Sequence, residues 1–237
     1  MASSLTDVTY NYRRICENIA RAAESTGRTA DDIIFLAATK TVEAPVINHA
    51  ISLGLRYIGE NRVQELLSKY DADDLEHASL QFIGHLQTNK VRQIVGKVDL
   101  IQSVDSEKLA REISRCSEKR GITTDILLEV NIGREANKSG VMPELLPELL
   151  DQVKDLPAVK VRGLMAIPPI CENAQENCKY FDNMRNFFLD IKGKNIDNIA
   201  MDILSMGMSG DYEEAIRCGA NMIRVGSALF GKRYYPA

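Results

Sequence analysis

No stretch of eighteen or more apolar residues occurs in the 237-residue chain, so no transmembrane helix is expected. Residues 1–5 lack the basic stretch and apolar core of a secretory signal. The five cysteines (Cys16, Cys116, Cys171, Cys178 and Cys218) include no C-x-x-C pair, and their number is odd. That argues against a disulfide framework or a zinc site and for scattered thiols in the cytoplasm. His49, His77 and His85 do not cluster at metal-ligand spacing. A net charge of −4 gives the chain no general pull toward nucleic acid or an anionic membrane. No linker, charge run, low-complexity segment or internal repeat divides it. One domain over residues 1–237 is therefore expected.

What is present is a strict alternation. Leu5, Val8, Tyr12, Ile15, Ile19 and Ala22 step by three or four residues and predict an N-terminal helix, with Ser4 and Asp7 at its cap. Past Gly27, short apolar runs fall at residues 33–38, 55–58, 80–83, 100–104, 125–130, 159–167, 203–206 and 222–225. Continuous apolar runs of this length are the pattern of strands buried on both faces of a parallel sheet. Helical stretches fill the seven gaps, and Pro147 is expected to hold the start of its helix late. Eight such units predict a closed (β/α)8 barrel with an extra N-terminal helix, in preference to an open doubly wound sheet.

A barrel of this kind keeps its chemistry at the C-terminal ends of its strands. Lys40 ends the first run, after six apolar or small residues and Thr39. Partial desolvation there would lower its pKa and make a neutral amine available to attack an aldehyde. The competing view is a lysine that snorkels to solvent. The loops after runs seven and eight are rich in small residues: Gly207, Ser209 and Gly210, then Gly226 and Ser227. Barrels often bind phosphate there, although turn glycines and a serine cap would look the same. Arg224 shares a strand face with Gly226 and needs an acceptor inside the barrel. A ring nitrogen of a ligand would serve, and so would Glu129. His85 fits a hydrogen-bonded structural residue, and Met206 with Met208 fits packing. Asn137-Lys138-Ser139 matches a glycosylation acceptor, which has no meaning without a secretory route.

These strand ends together resemble the pyridoxal phosphate homeostasis proteins (the YggS/PROSC type). The resemblance rests on Ala38-Thr39-Lys40-Thr41, on Tyr57-Ile58-Gly59-Glu60-Asn61-Arg62-Val63-Gln64-Glu65, and on Phe82-Ile83-Gly84-His85-Leu86-Gln87-Thr88-Asn89-Lys90. It continues through Asn137-Lys138-Ser139-Gly140, Arg162-Gly163-Leu164-Met165-Ala166-Ile167-Pro168, Leu204-Ser205-Met206-Gly207-Met208-Ser209 and Ile223-Arg224-Val225-Gly226-Ser227-Ala228-Leu229-Phe230-Gly231. It implies the fold-type III barrel of the alanine racemase N-terminal domain. It further implies pyridoxal 5′-phosphate as cofactor, held as a Schiff base on Lys40. Ser209, Gly226 and Ser227 match phosphate positions, and Arg224 matches the arginine facing the pyridine nitrogen. Asn61, Met165 and Ser205 match positions near the cofactor. Two departures stand out: Gln81 where family members often have histidine, and Ser227 where threonine is also common.

The resemblance implies intracellular cofactor homeostasis by storage, delivery or regulation, without robust catalysis. Apo-enzymes that use the cofactor are the implied partners, and a monomer is expected. An arginine opposite the ring nitrogen disfavours its protonation and weakens the ring as an electron sink. Fold-type III racemases and decarboxylases add a β-domain, and six residues after Gly231 leave no room for one. The alternative is a small pyridoxal phosphate-dependent amino-acid racemase. A phosphosugar-binding barrel is a third reading.

Overall fold

Ser4 caps the first helix as its side chain predicts. In the computed structural model, Asp7 N donates to Ser4 Oγ at 3.1 Å, and Ser4 N and Oγ donate back to Asp7 Oδ2 at 3.0 and 2.8 Å. This reciprocal pairing satisfies backbone donors that a helix start leaves open. The helix, α1 (Leu5–Glu24), buries Val8, Ile15, Ile19, Ala22 and Ala23 along one stripe. The structure describes residues 4–169, 171 and 174–231. Tyr234 and Tyr235 lie outside the described residues.

Eight parallel strands follow: β1 (Ile34–Ala38), β2 (Tyr57–Glu60), β3 (Ser79–Phe82), β4 (Leu100–Val104), β5 (Thr124–Val130), β6 (Val159–Ala166), β7 (Ile199–Ser205) and β8 (Met222–Val225). Each pairs with the next, and β8 returns to β1 with Leu36 opposite Arg224, so the barrel closes. Between the strands lie α2 (Ala44–Ser52), α3 (Val63–Lys69), α4 (Val91–Ile94), α5 (Glu107–Glu118), α6 (Leu146–Val153), α7 (Ala174–Lys194) and α8 (Tyr212–Arg217); α9 (Ser227–Phe230) follows β8. No helix among the described residues is long and apolar enough to cross a membrane.

Side chains alternate between two hydrophobic layers. Leu36, Ile83, Leu100, Leu127, Met165 and Met222 fill the barrel. Ala37, Ile58, Phe82, Ile101, Ile126 and Ile223 face the helices. Burying each large apolar side chain favours the fold by roughly 1.5–3 kcal/mol, so the sheet is stabilised from both sides.

The differences from the expected elements have local causes. β2 starts two residues later and runs to Glu60, because Leu55 N bonds back to Ala50 O and closes α2. β7 begins at Ile199; its polar Asp202 points outward and pairs with Arg162 at 2.8 Å, which interrupts the apolar run without ending the strand. Pro147 does not delay α6. It sits at N2, where a missing N–H costs nothing. α9 was not expected, since four residues give too little periodicity to read.

α1 packs against the last helices. Asn18 Nδ2 donates to the Tyr212 hydroxyl at 2.8 Å, Asn11 Nδ2 donates to Leu229 O at 3.1 Å, and Arg28 Nη1 donates to Ala220 O at 2.8 Å. The first helix, with Arg28 just beyond it, therefore braces α8 and α9, the helices that follow β7 and β8.

Candidate functional site

Lys40 lies two residues beyond the end of β1 and is half-buried. Its turn is clamped from α3. Lys69 Nζ donates to Thr39 O at 3.0 Å and Val42 O at 3.2 Å, and Thr41 N donates to Glu65 Oε2 at 3.0 Å. Thr41 holds φ 62°, a left-handed conformation unfavourable for a β-branched residue. These bonds keep it there. Lys69 is itself fixed by an ion pair with the fully buried Glu60, whose Oε1 also accepts from Thr39 Oγ1 at 2.6 Å.

Arg224 comes from β8, the hydrogen-bonded neighbour of β1. It is buried, donating through Nη1 to Ser205 Oγ at 2.6 Å and through Nη2 to Ala166 O at 2.9 Å. These bonds, and not Glu129, meet its need for acceptors. Burial pulls its pKa down to about 10, opposed by the charges of Glu129 and Asp211, so the guanidinium stays charged at neutral pH. Glu129, on β5, is buried too, and its pKa is pushed up to about 7 by burial, then by Asp105, with Arg224 opposing.

The loop after β7 folds onto the loop after β8. Ser209 Oγ accepts from Gly226 N and Ala228 N, both at 3.1 Å. Two backbone amides therefore converge on one oxygen, the donor arrangement that an oxyanion requires. Gly207 makes this approach feasible. It sits at φ 90°, and a Cβ there would come within 2.5 Å of Ala215 Cβ. Gly207 O also accepts from Arg224 N at 3.0 Å, tying the loop to the arginine strand. Gly226 is buried, while Ser227, the first residue of α9, is exposed.

Asn61 follows β2, half-buried, with its Oδ1 enclosed and without a protein partner. Its backbone lies against Gly84, where a Cβ would meet Asn61 O at 2.1 Å. Met165 and Ser205 are fully buried in the barrel, Met165 in the interior cluster and Ser205 against Arg224. His85 is exposed and pairs with Ser139 Oγ at 3.2 Å, as a structural histidine would.

The sequence-predicted residues thus group at the strand ends, with Arg224 tied to Ser205 and Ser209 tied to Gly226. Sequence reasoning gave no role to Gln102, which accepts from Ser205 Oγ at 2.7 Å and donates to Gln81 Oε1 at 2.6 Å. A polar residue at the centre of the apolar run at 100–104 was the available signal. The polar groups present fit a phosphorylated pyridine: an amide pair to donate to an anion, a charged arginine inside the barrel, an unpartnered acceptor oxygen at Asn61 and a lysine at the rim.

Known proteins resemble this chain over most of its length. The family described as alanine racemase, N-terminal domain, matches residues 11–234. The pyridoxal phosphate homeostasis protein of Aquifex aeolicus is 46% identical over 94% of this chain and 96% of its own length. That of Pseudomonas aeruginosa is 39% identical over 98% and 99%. PipY of Synechococcus elongatus, solved with PLP bound, superposes with a TM-score of 0.79 at 34% identity, covering 90% of this chain and all of PipY. An alanine racemase of Clostridium difficile shares the fold at 16% identity and TM-score 0.73, and the match covers 60% of that enzyme. Sequence and fold agree: the chain belongs to the family of pyridoxal phosphate homeostasis proteins, built on the alanine racemase N-terminal barrel.

Proposed function

We propose that this protein holds pyridoxal 5′-phosphate covalently, as a Schiff base on Lys40, and serves its intracellular homeostasis as a carrier or regulator without robust turnover. The observation that carries the reading is the buried, charged Arg224 on the strand next to the one that ends near Lys40, fixed by Ser205 and Ala166 O. A guanidinium cannot accept a proton, so opposite a pyridine nitrogen it favours the unprotonated ring.

When bound, the cofactor supplies an aldehyde carbon that amines attack. Lys40 supplies the amine. The amides of Gly226 and Ala228 would hold the phosphate together with Ser209 and Ser227, with Ser209 Oγ giving up its present acceptor role. Asn61 offers its amide to a polar edge of the ring, Met165 packs within the barrel, and Ser205 holds Arg224. The relatives named for homeostasis are matched over 96% and 99% of their length, against 60% for the racemase, which favours the carrier reading over the racemase alternative. The reading includes a cytoplasmic location, a monomeric state and apo-enzymes as recipients.

Borohydride treatment after loading with pyridoxal phosphate is expected to fix one cofactor mass on the peptide that holds Lys40. Lys40→Ala should lose that adduct and the yellow colour while melting like the natural protein. Equal labelling of other lysines, or an undiminished adduct in Lys40→Ala, would overturn the assignment. Sustained amino-acid racemisation that Lys40→Ala abolishes would replace the carrier with the racemase.

A further inference from the structure

Gln102 lies on β4, fully buried inside the barrel, and belongs to a polar chain that crosses it. From β8, Arg224 Nη1 donates to Ser205 Oγ on β7 (2.6 Å). Ser205 Oγ donates to Gln102 Oε1 (2.7 Å), and Gln102 Nε2 donates to Gln81 Oε1 on β3 (2.6 Å) and to Met222 Sδ (3.1 Å). The direction of this chain is set at one end. A guanidinium has five N–H donors and no acceptor, so Ser205 must accept from it. The single hydroxyl proton is then left for Gln102, whose oxygen faces Ser205 and whose nitrogen faces Gln81. The two acceptors at the far side, Gln81 Oε1 and Met222 Sδ, require that same orientation.

We infer that Gln102, seated on Gln81, is a positioning residue for Arg224. By occupying the Ser205 proton it turns the serine lone pairs toward Arg224. The guanidinium is then held by two bonds on two strands, β7 and β6. Without Gln102 the hydroxyl is free to rotate, and Arg224 can pivot about its bond to Ala166 O. The departure at Gln81 acquires a role here as the terminal acceptor. The consequence for cofactor binding rests on the proposed function, whereas the ordering of Arg224 does not.

Gln102→Met keeps length and shape but removes all three hydrogen bonds. In unloaded protein, nitrogen-15 NMR is expected to show separate, slowly exchanging Arg224 Nη hydrogens in the natural chain and averaged ones in Gln102→Met. Gln102→Glu should restore them, because a buried carboxylic acid offers an acceptor to Ser205 and a proton to Gln81. In loaded protein, Gln102→Met should speed cofactor release about fivefold and raise the pH at which the cofactor absorption band changes. Placed on Ser205→Ala, it should add nothing to either effect. Unchanged Arg224 signals in Gln102→Met, or an equal effect in the Ser205→Ala background, would overturn the inference. If the natural protein takes up no cofactor, the proposed function fails, while the NMR comparison still decides for or against Gln102.

Discussion

Glu129 shows how one residue can set the pH response of the molecule. Its pKa is pushed up to about 7 from the usual 4.5, first by burial and then by Asp105. Between those two values the folded protein holds a proton that the unfolded chain has released, so stability falls as pH rises through that window. The cost is full above about pH 7 and absent below about pH 4.5. Glu129→Gln, which resembles the protonated form, is expected to stabilise the protein at pH 8 by on the order of 1–3 kcal/mol and to change little at pH 4.5. Urea melts at the two pH values check this; equal effects at both would refute it. Legibility at this scale was uneven. Lys40 and Arg224 stood out because charge at a strand end or inside a barrel is expensive and asks for a purpose. Gln102 did not, since its meaning comes from Ser205 and Gln81, which are remote in sequence and adjacent only after closure. The sequence also left Glu129 as a competing partner for Arg224, a question decided by side-chain geometry that strand parity does not reveal.

Helix α3 organises the turn that carries Lys40. Lys69, largely buried, meets Glu60, which is wholly buried, and also holds two carbonyls of the turn. Asp73 nearby has its pKa pushed up to about 6 by burial, with Lys69 drawing it down and Glu60 raising it. Removing one partner of a buried pair leaves the other charged and unpaired. Lys69→Met is therefore expected to lower stability by roughly 3 kcal/mol, and Glu60→Gln in the same chain should recover most of the loss. Denaturant midpoints of the single and double variants measure this, and additive losses would contradict it. The elements themselves were largely legible. β4 and β8 have the bounds that their apolar runs suggest, while β7 extends beyond its run because the outward Asp202 interrupts the apolar pattern without ending the strand. The clamp was invisible in advance, because Glu65 and Lys69 on a helix read as ordinary surface charges until α3 is laid against β1.

At the scale of the whole molecule, the barrel is closed by β1 against β8 and braced by α1 against α8 and α9. Ile15 is fully buried in that brace. Ile15→Ala is expected to cost about 3 kcal/mol and to shift the urea midpoint without splitting the transition; a change below about 1 kcal/mol would show that α1 is dispensable. The number of strands was countable from the apolar runs, and closure followed from that number. The docking of α1 was not, because its stripe states that a partner exists without saying which. The β1–β8 seam also constrains how the protein is made. On the ribosome, residues 34–37 emerge long before their sheet neighbours at 222–225 are translated, so the first strand waits with one flank unpaired while the residues between them are made. The barrel that carries Lys40 and Arg224 therefore closes only once residues 222–225 have been made, and a nascent chain stalled before Met222 would lack Arg224 and the amides of Gly226 and Ala228 altogether.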